Sequence, residues 1–141
     1  MSLQIGLAGS QSEPFSTAEY LVSLDDHENG GYYWFLRPLL EQLAEKTGQM
    51  IDPHEDAVFR GDDLPVLRDT LVDARRLVAD QPERWSVYVG TSSMPNATPP
   101  APPWKVFKEV EQSKFIQLLD TLIAIVDRAI AAGVTVVCWG D

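Results

Sequence analysis

The chain has 141 residues, of which 45% are hydrophobic and 23% charged. That length suits a single domain with its own core, roughly two-thirds of the unfolded surface being buried, and the balance is too apolar for a disordered chain. The formal net charge of −10 opposes binding to nucleic acid or anionic lipid, which are themselves densely negative. Taken in chain order, Leu3 to Ala8 alternates apolar with polar or small residues and predicts a strand, and 9–14 reads as a loop. Thr17 to Leu24 fits either a strand or a short helix, and Asp25 to Gly31 is a polar, turn-rich loop. Leu36, Leu39, Leu40 and Leu43 recur at helical spacing, with Gly48 as a C-terminal cap, so a helix is expected over 33–47 with Pro38 in its first turn or at a kink.

Asp52 to Asp56 is a second polar turn, and Ala57-Val58-Phe59 reads as a short strand. Asp62, followed closely by Pro65, has the character of a helix N-cap. From there Leu64, Leu67, Leu71, Ala74, Leu77 and Val78 trace one apolar face to about residue 80, while Arg68, Asp69, Asp73, Arg75 and Arg76 mark a solvated face. Trp85 to Thr91 alternates as a strand, 92–103 is a proline-rich loop, and Trp104 to Val110 is a further strand. The run Pro99 to Pro103 favours polyproline II, either as a stiff connector or as a ligand for an aromatic groove. A third helix, capped by Ser113 and closed by Gly133, carries the stripe Phe115, Ile116, Leu119, Leu122, Ile123, Val126 and Ile130. The last strand, 134–139, is apolar on both faces, which predicts a central strand covered on both sides. Together these elements predict an α+β fold of one domain spanning 1–141, with three main helices on a mixed or mostly antiparallel sheet of four to six strands. The helix over 113–131 is expected to lie across the last strand.

The acids are unevenly placed. Residues 13–83 hold 16 of the 21 acids but 6 of the 11 bases, whereas 84–141 is neutral, and 13–36 contains no base. Such a field steers a basic partner inwards, although acidity also serves solubility alone. The segment Tyr32-Tyr33-Trp34-Phe35-Leu36 cannot turn every side chain to one core, so one or two of Tyr32, Tyr33 and Trp34 are expected at the surface or under a loop. With Asp25, Asp26 and Glu28 on one side and Asp52, Glu55 and Asp56 in the second polar turn, they form a candidate protein-binding surface.

Catalytic signatures are missing from the sequence. It has no G-x-S-x-G elbow and no G-K-[ST], and Gly6-Leu7-Ala8-Gly9 lacks the spacing of a dinucleotide loop. Each of the two histidines has carboxylate neighbours, His27 after Asp25-Asp26 and His54 before Glu55-Asp56. They read either as parts of solvated turns or, if the two loops meet, as a metal or acid–base site. No cofactor is expected otherwise. A single cysteine, Cys138, within an apolar run excludes an internal disulfide and reads as a core thiol. The N-terminus lacks the basic and apolar regions of a signal peptide, and no apolar run approaches the roughly 20 residues of a spanning helix, so a cytoplasmic protein is expected.

Three segments carry a resemblance: 33–48 from Tyr33-Trp34-Phe35-Leu36 to Glu45-Lys46-Thr47-Gly48, Trp85 to Gly90, and the terminal Val136 to Asp141. In this order they resemble small bacterial proteins that accompany secreted or contact-delivered toxins as immunity proteins. The resemblance implies a non-catalytic protein that binds and neutralises a cognate toxin domain. Its motifs are structural, so it assigns no individual residue a role.

Overall fold

The computed structural model describes residues 2–9, 13–15, 17–96 and 98–140, with the side chains at 25–30 outside the description. Three helices and six strands form among the described residues, giving an α+β fold. Strands β1 (Ser2–Ala8), β2 (Ala18–Asp25), β3 (Ala57–Phe59) and β6 (Thr135–Gly140) make an antiparallel sheet in the order β2-β1-β6-β3. Strands β4 (Arg84–Ser92) and β5 (Trp104–Glu111) pair only with each other, as a separate antiparallel hairpin. The sheet expected from the sequence is therefore divided into four strands and two. Helices α1 (Asp26–Thr47), α2 (Asp63–Ala79) and α3 (Gln112–Ala132) complete the fold. No helix among the described residues is long and apolar enough to cross a membrane.

The helices share one core with Leu3, Ile5, Ala57, Phe59, Val136 and Cys138 on a single face of the four-stranded sheet. β6 is central, as its apolar sequence predicts, and α3 packs on β1 and β6. The expected cover on both faces takes another form. On the face away from the helices, Val137 is fully buried, and Tyr20 and Trp139 pair their rings at 6.0 Å. Gly6 lies opposite both Tyr20 and Val137. A bulge in the β1–β2 pairing presses the backbone of Glu19 and Tyr20 against it, leaving no room for a Cβ.

α1 begins much earlier than its apolar spacing suggests: positions 26–31, read as a loop, are its first turns. Tertiary packing overrides the poor helix propensity of Gly30 and Gly31. A Cβ on Gly31 would stand 2.7 Å from Cγ2 of Val110, so the bare backbone lets α1 lie directly against β5. Pro38 consequently falls in the helix interior rather than its first turn, on the exposed side. The 100° step of the helix separates the aromatic run. Tyr32 and Phe35 reach Phe115 of α3 at 4.7 and 5.5 Å between ring centroids, and Trp85 of β4 stacks on the same Phe115 at 6.2 Å. This cluster fastens the hairpin to the helices.

α2 starts without the expected aspartate cap. Asp62 has helical backbone angles, and its side chain makes no capping hydrogen bond. The Arg60–Gly61 turn instead supplies carbonyls to the N–H groups of Asp63 and Leu64 at 3.1 and 3.2 Å. Leu77 is 46% exposed, outside the buried stripe. The face read as solvated also meets α3, through Arg68–Asp127 at 2.7 Å and Arg75–Asp120 at 2.6 Å. Both pairs are about half exposed, so each contributes little to stability. Ser113 is inside α3 rather than its cap. The side chain of its neighbour Gln112 closes the end of α2 instead, donating to the carbonyls of Val78, Ala79 and Gln81 at 3.2, 2.9 and 2.7 Å. Gly133 ends α3 in the left-handed conformation at φ 67°, as expected. Ile130 is exposed while Ile125 and Ala129 are buried, so the buried stripe is rotated about the helix axis, away from Ile130.

Candidate partner-binding surface

The turn at 52–56 is held from within. The Asp52 carboxylate accepts the His54 backbone N–H at 2.8 Å, and the Glu55 N–H donates to the Asp52 carbonyl at 3.2 Å. Aspartate closes this turn because its short side chain reaches the backbone two residues on. From α1, Arg37 approaches the other Asp52 oxygen at 3.5 Å while donating to Glu41 at 3.2 Å and to the Tyr33 hydroxyl at 3.2 Å. Tyr33 in turn donates to the Ile51 carbonyl at 3.0 Å. Burial pushes the Tyr33 phenol up to about 12; Asp52 acts in the same direction and Arg37 against it.

On its other side the turn abuts the end of β6. The Gly140 N–H donates to Asp56 at 3.3 Å, and a Cβ on Gly140 would lie 2.6–2.7 Å from backbone atoms of Asp52 and Glu55. Next to Gly140 stands Trp139, paired with Tyr20. Burial, and then the nearby Asp56 charge, raise the Tyr20 phenol. A tryptophan adjoins each of the residues that meet the turn, Trp34 beside Arg37 and Trp139 beside Gly140. Trp34 is 40% exposed, with the Arg37 guanidinium 5.6 Å from its ring, and Trp139 is 39% exposed. In the turn itself His54, Glu55 and Asp56 are exposed, and Asp52 is half-buried.

Of the residues singled out in the sequence, the structure brings Trp34 and Asp52 together through Arg37, with Glu55 and Asp56 alongside. Tyr33 is in the core and Tyr32 is half-buried against Phe115, so neither ring is as free as that of Trp34. The side chains of Asp25, Asp26, His27 and Glu28 lie outside the described residues. On the backbone, position 27 belongs to the first turn of α1. It is ten residues, about 15 Å along the axis, from Arg37, which meets the 52–56 turn. Among the described residues no three His, Cys, Asp or Glu side chains stand close enough to hold a metal ion. Trp139 and Tyr20 escape sequence reading because a strand residue shows its face only once the sheet register is known. The same holds for a second exposed set, Tyr88 and Phe107 on the hairpin, although Phe107 alternates in phase with Lys105 and Glu109, a legible sign of a solvent-facing position.

An interior cavity of about 30 Å³, lined by apolar side chains including Leu3, Leu36, Leu67 and Leu122, would hold no substrate. Cys138 lines it too, and burial pushes its thiol up to about 12, as befits an unreactive core group. No protein-family model, curated protein or solved structure matches this chain.

Proposed function

We propose that the protein acts by binding another protein without catalysis, as an immunity protein holding a basic toxin domain, and that the 52–56 surface is part of the interface. The observation that carries this reading is a pair of half-exposed tryptophans, Trp34 beside Arg37 and Trp139 beside Gly140, the two residues that meet the turn bearing exposed Glu55 and Asp56. Tryptophan anchors supply most of the affinity of such interfaces, and rim carboxylates mainly accelerate encounter with a basic partner. The acids at Asp25, Asp26 and Glu28 extend the negative field along the chain. A cytoplasmic residence goes with the proposal.

The test is capture of partners from the native host at low and high salt, followed by binding measurements with the purified partner. Trp34→Ala and Trp139→Ala are each expected to weaken binding about 30-fold, the loss of a central aromatic anchor. A Glu55→Lys, Asp56→Lys double variant should slow association and flatten its salt dependence. A partner that binds all these variants as it binds the wild type would disprove the assignment of the surface. A partner that is neither basic nor toxic to the host would disprove the immunity reading.

A further inference from the structure

The β4–β5 hairpin presents its own surface, remote in chemistry from the acidic turn. Between positions 84 and 111 the charged residues are Arg84, Lys105, Lys108, Glu109 and Glu111, a net +1 in a chain of net −10. On the face turned away from the helices, Tyr88 and Phe107 stand opposite each other, 48% and 55% exposed, with ring centroids 5.8 Å apart. Lys105 reaches over the Tyr88 ring at 5.9 Å, so Lys105, Phe107 and Glu109 line the same face of β5.

Among the described residues neither hairpin strand pairs with a third strand. The edges are not equivalent. β4 is bulged between Tyr88 and Gly90, where Gly90 has a φ of 150°, and a bulge disrupts an edge as a template for pairing. β5 runs without a break in register from Phe107 to Glu111.

We propose that a second copy of this chain pairs with β5, antiparallel and about a twofold axis at Phe107, to join two hairpins into a four-stranded sheet. An antiparallel twofold pairing must centre on one residue, and the β5 sequence selects which. Centred on Phe107, Lys105 of each copy stands opposite Glu109 of the other, and the two Phe107 rings meet on the axis. The outer face then carries a continuous aromatic row, with a Tyr88 at each end. Centred on Lys108 instead, each Phe107 would stand opposite a Glu109 of the other copy and the aromatic row would be broken. Centred on Val106, Pro103 would enter the ladder, where it has no N–H to donate. Glu109 already meets Arg84 at 3.3 Å, and Arg84 keeps Glu111 at 3.4 Å when Glu109 turns to the second copy. A single strand pairing of seven residues, Trp104 to Val110, spans about 24 Å, which suits a weak, reversible dimer rather than a permanent one.

Sedimentation velocity over a range of concentrations tests the register directly. The wild type is expected to show a reversible monomer–dimer equilibrium. Lys105→Glu puts two carboxylates opposite each other on either side of the axis, and Glu109→Lys puts two ammonium groups there. Each variant alone should dimerise at least about tenfold more weakly. Mixed in equal amounts, the two variants restore Glu opposite Lys at both positions and should form a heterodimer. Recovery in the mixture also shows that both chains are folded. A wild type that stays monomeric, a dimer indifferent to both substitutions, or a mixture that stays monomeric would each overturn the proposal.

Discussion

Replacing Tyr33 by phenylalanine removes one oxygen from a place where two bonds depend on it. Its hydroxyl donates to the Ile51 carbonyl at 3.0 Å and accepts from Arg37 at 3.2 Å, in a side chain that is 4% exposed. Arg37 keeps Glu41 and Asp52, so the main loss is the buried Ile51 carbonyl left without its donor. An orphaned buried acceptor costs about 1–3 kcal/mol, and Tyr33→Phe is expected to lower the unfolding free energy by about 2 kcal/mol at neutral pH. The same phenol gives the effect a pH dependence. Burial raises it from 10.0 to about 12 in the folded chain. Its contribution is therefore complete below pH 10 and is lost as the pH rises through about 12, since the unfolded chain ionises first. The span corresponds to about 2–3 kcal/mol. Urea denaturation of both proteins at pH 7, and at steps between pH 9 and pH 12, checks both parts. The wild type should lose stability faster than Tyr33→Phe above pH 10, so the gap between them narrows. Tyr20 and Tyr32 are common to both proteins and cancel in the comparison. Parallel alkaline losses, or a difference at pH 7 below about 0.5 kcal/mol, would refute the role given to this hydroxyl.

Pro38→Ala restores an N–H to the interior of α1 and relieves the ring's clash with the Trp34 carbonyl. It should raise stability by about 1–3 kcal/mol, less than the full interior proline penalty because the site faces water, read as a higher urea midpoint. Gly140→Ala drives a methyl group into the backbone of Asp52 and Glu55 and should destabilise the protein by about 1–3 kcal/mol in the same assay, with altered Trp139 fluorescence as the turn shifts. Gly31→Ala gains helix propensity but meets Val110 at 2.7 Å inside the packed core, so a net loss of about 1 kcal/mol is expected. Cys138 should resist a thiol reagent in the native protein up to pH 9 and react at once in denaturant; rapid labelling of native protein would show that β6 opens.

Much of the secondary structure can be read from local pattern. The short strand Ala57–Phe59, the helix ended by Gly133 and the alternating strands at Trp85 and Trp104 follow from periodicity and turn chemistry, which act between residues near in sequence. The errors have a common origin. Gly31 fits the helix because its bare backbone packs against Val110, which lies far off in sequence, and α2 is closed by Gln112 from the start of another helix. The candidate surface divides in the same way. Sequence alone determined the acidic field, the polar turn at 52–56 and the need for some ring of the aromatic run to emerge. Only the tertiary structure decided that the ring is Trp34, that Trp139 is exposed next to the strand end that meets the turn, and that Tyr33 lies inside. The physical reason is that exposure is not a property of a residue type. A helix turning 100° per residue and a strand alternating at every residue present several faces, and long-range packing chooses which of them is covered.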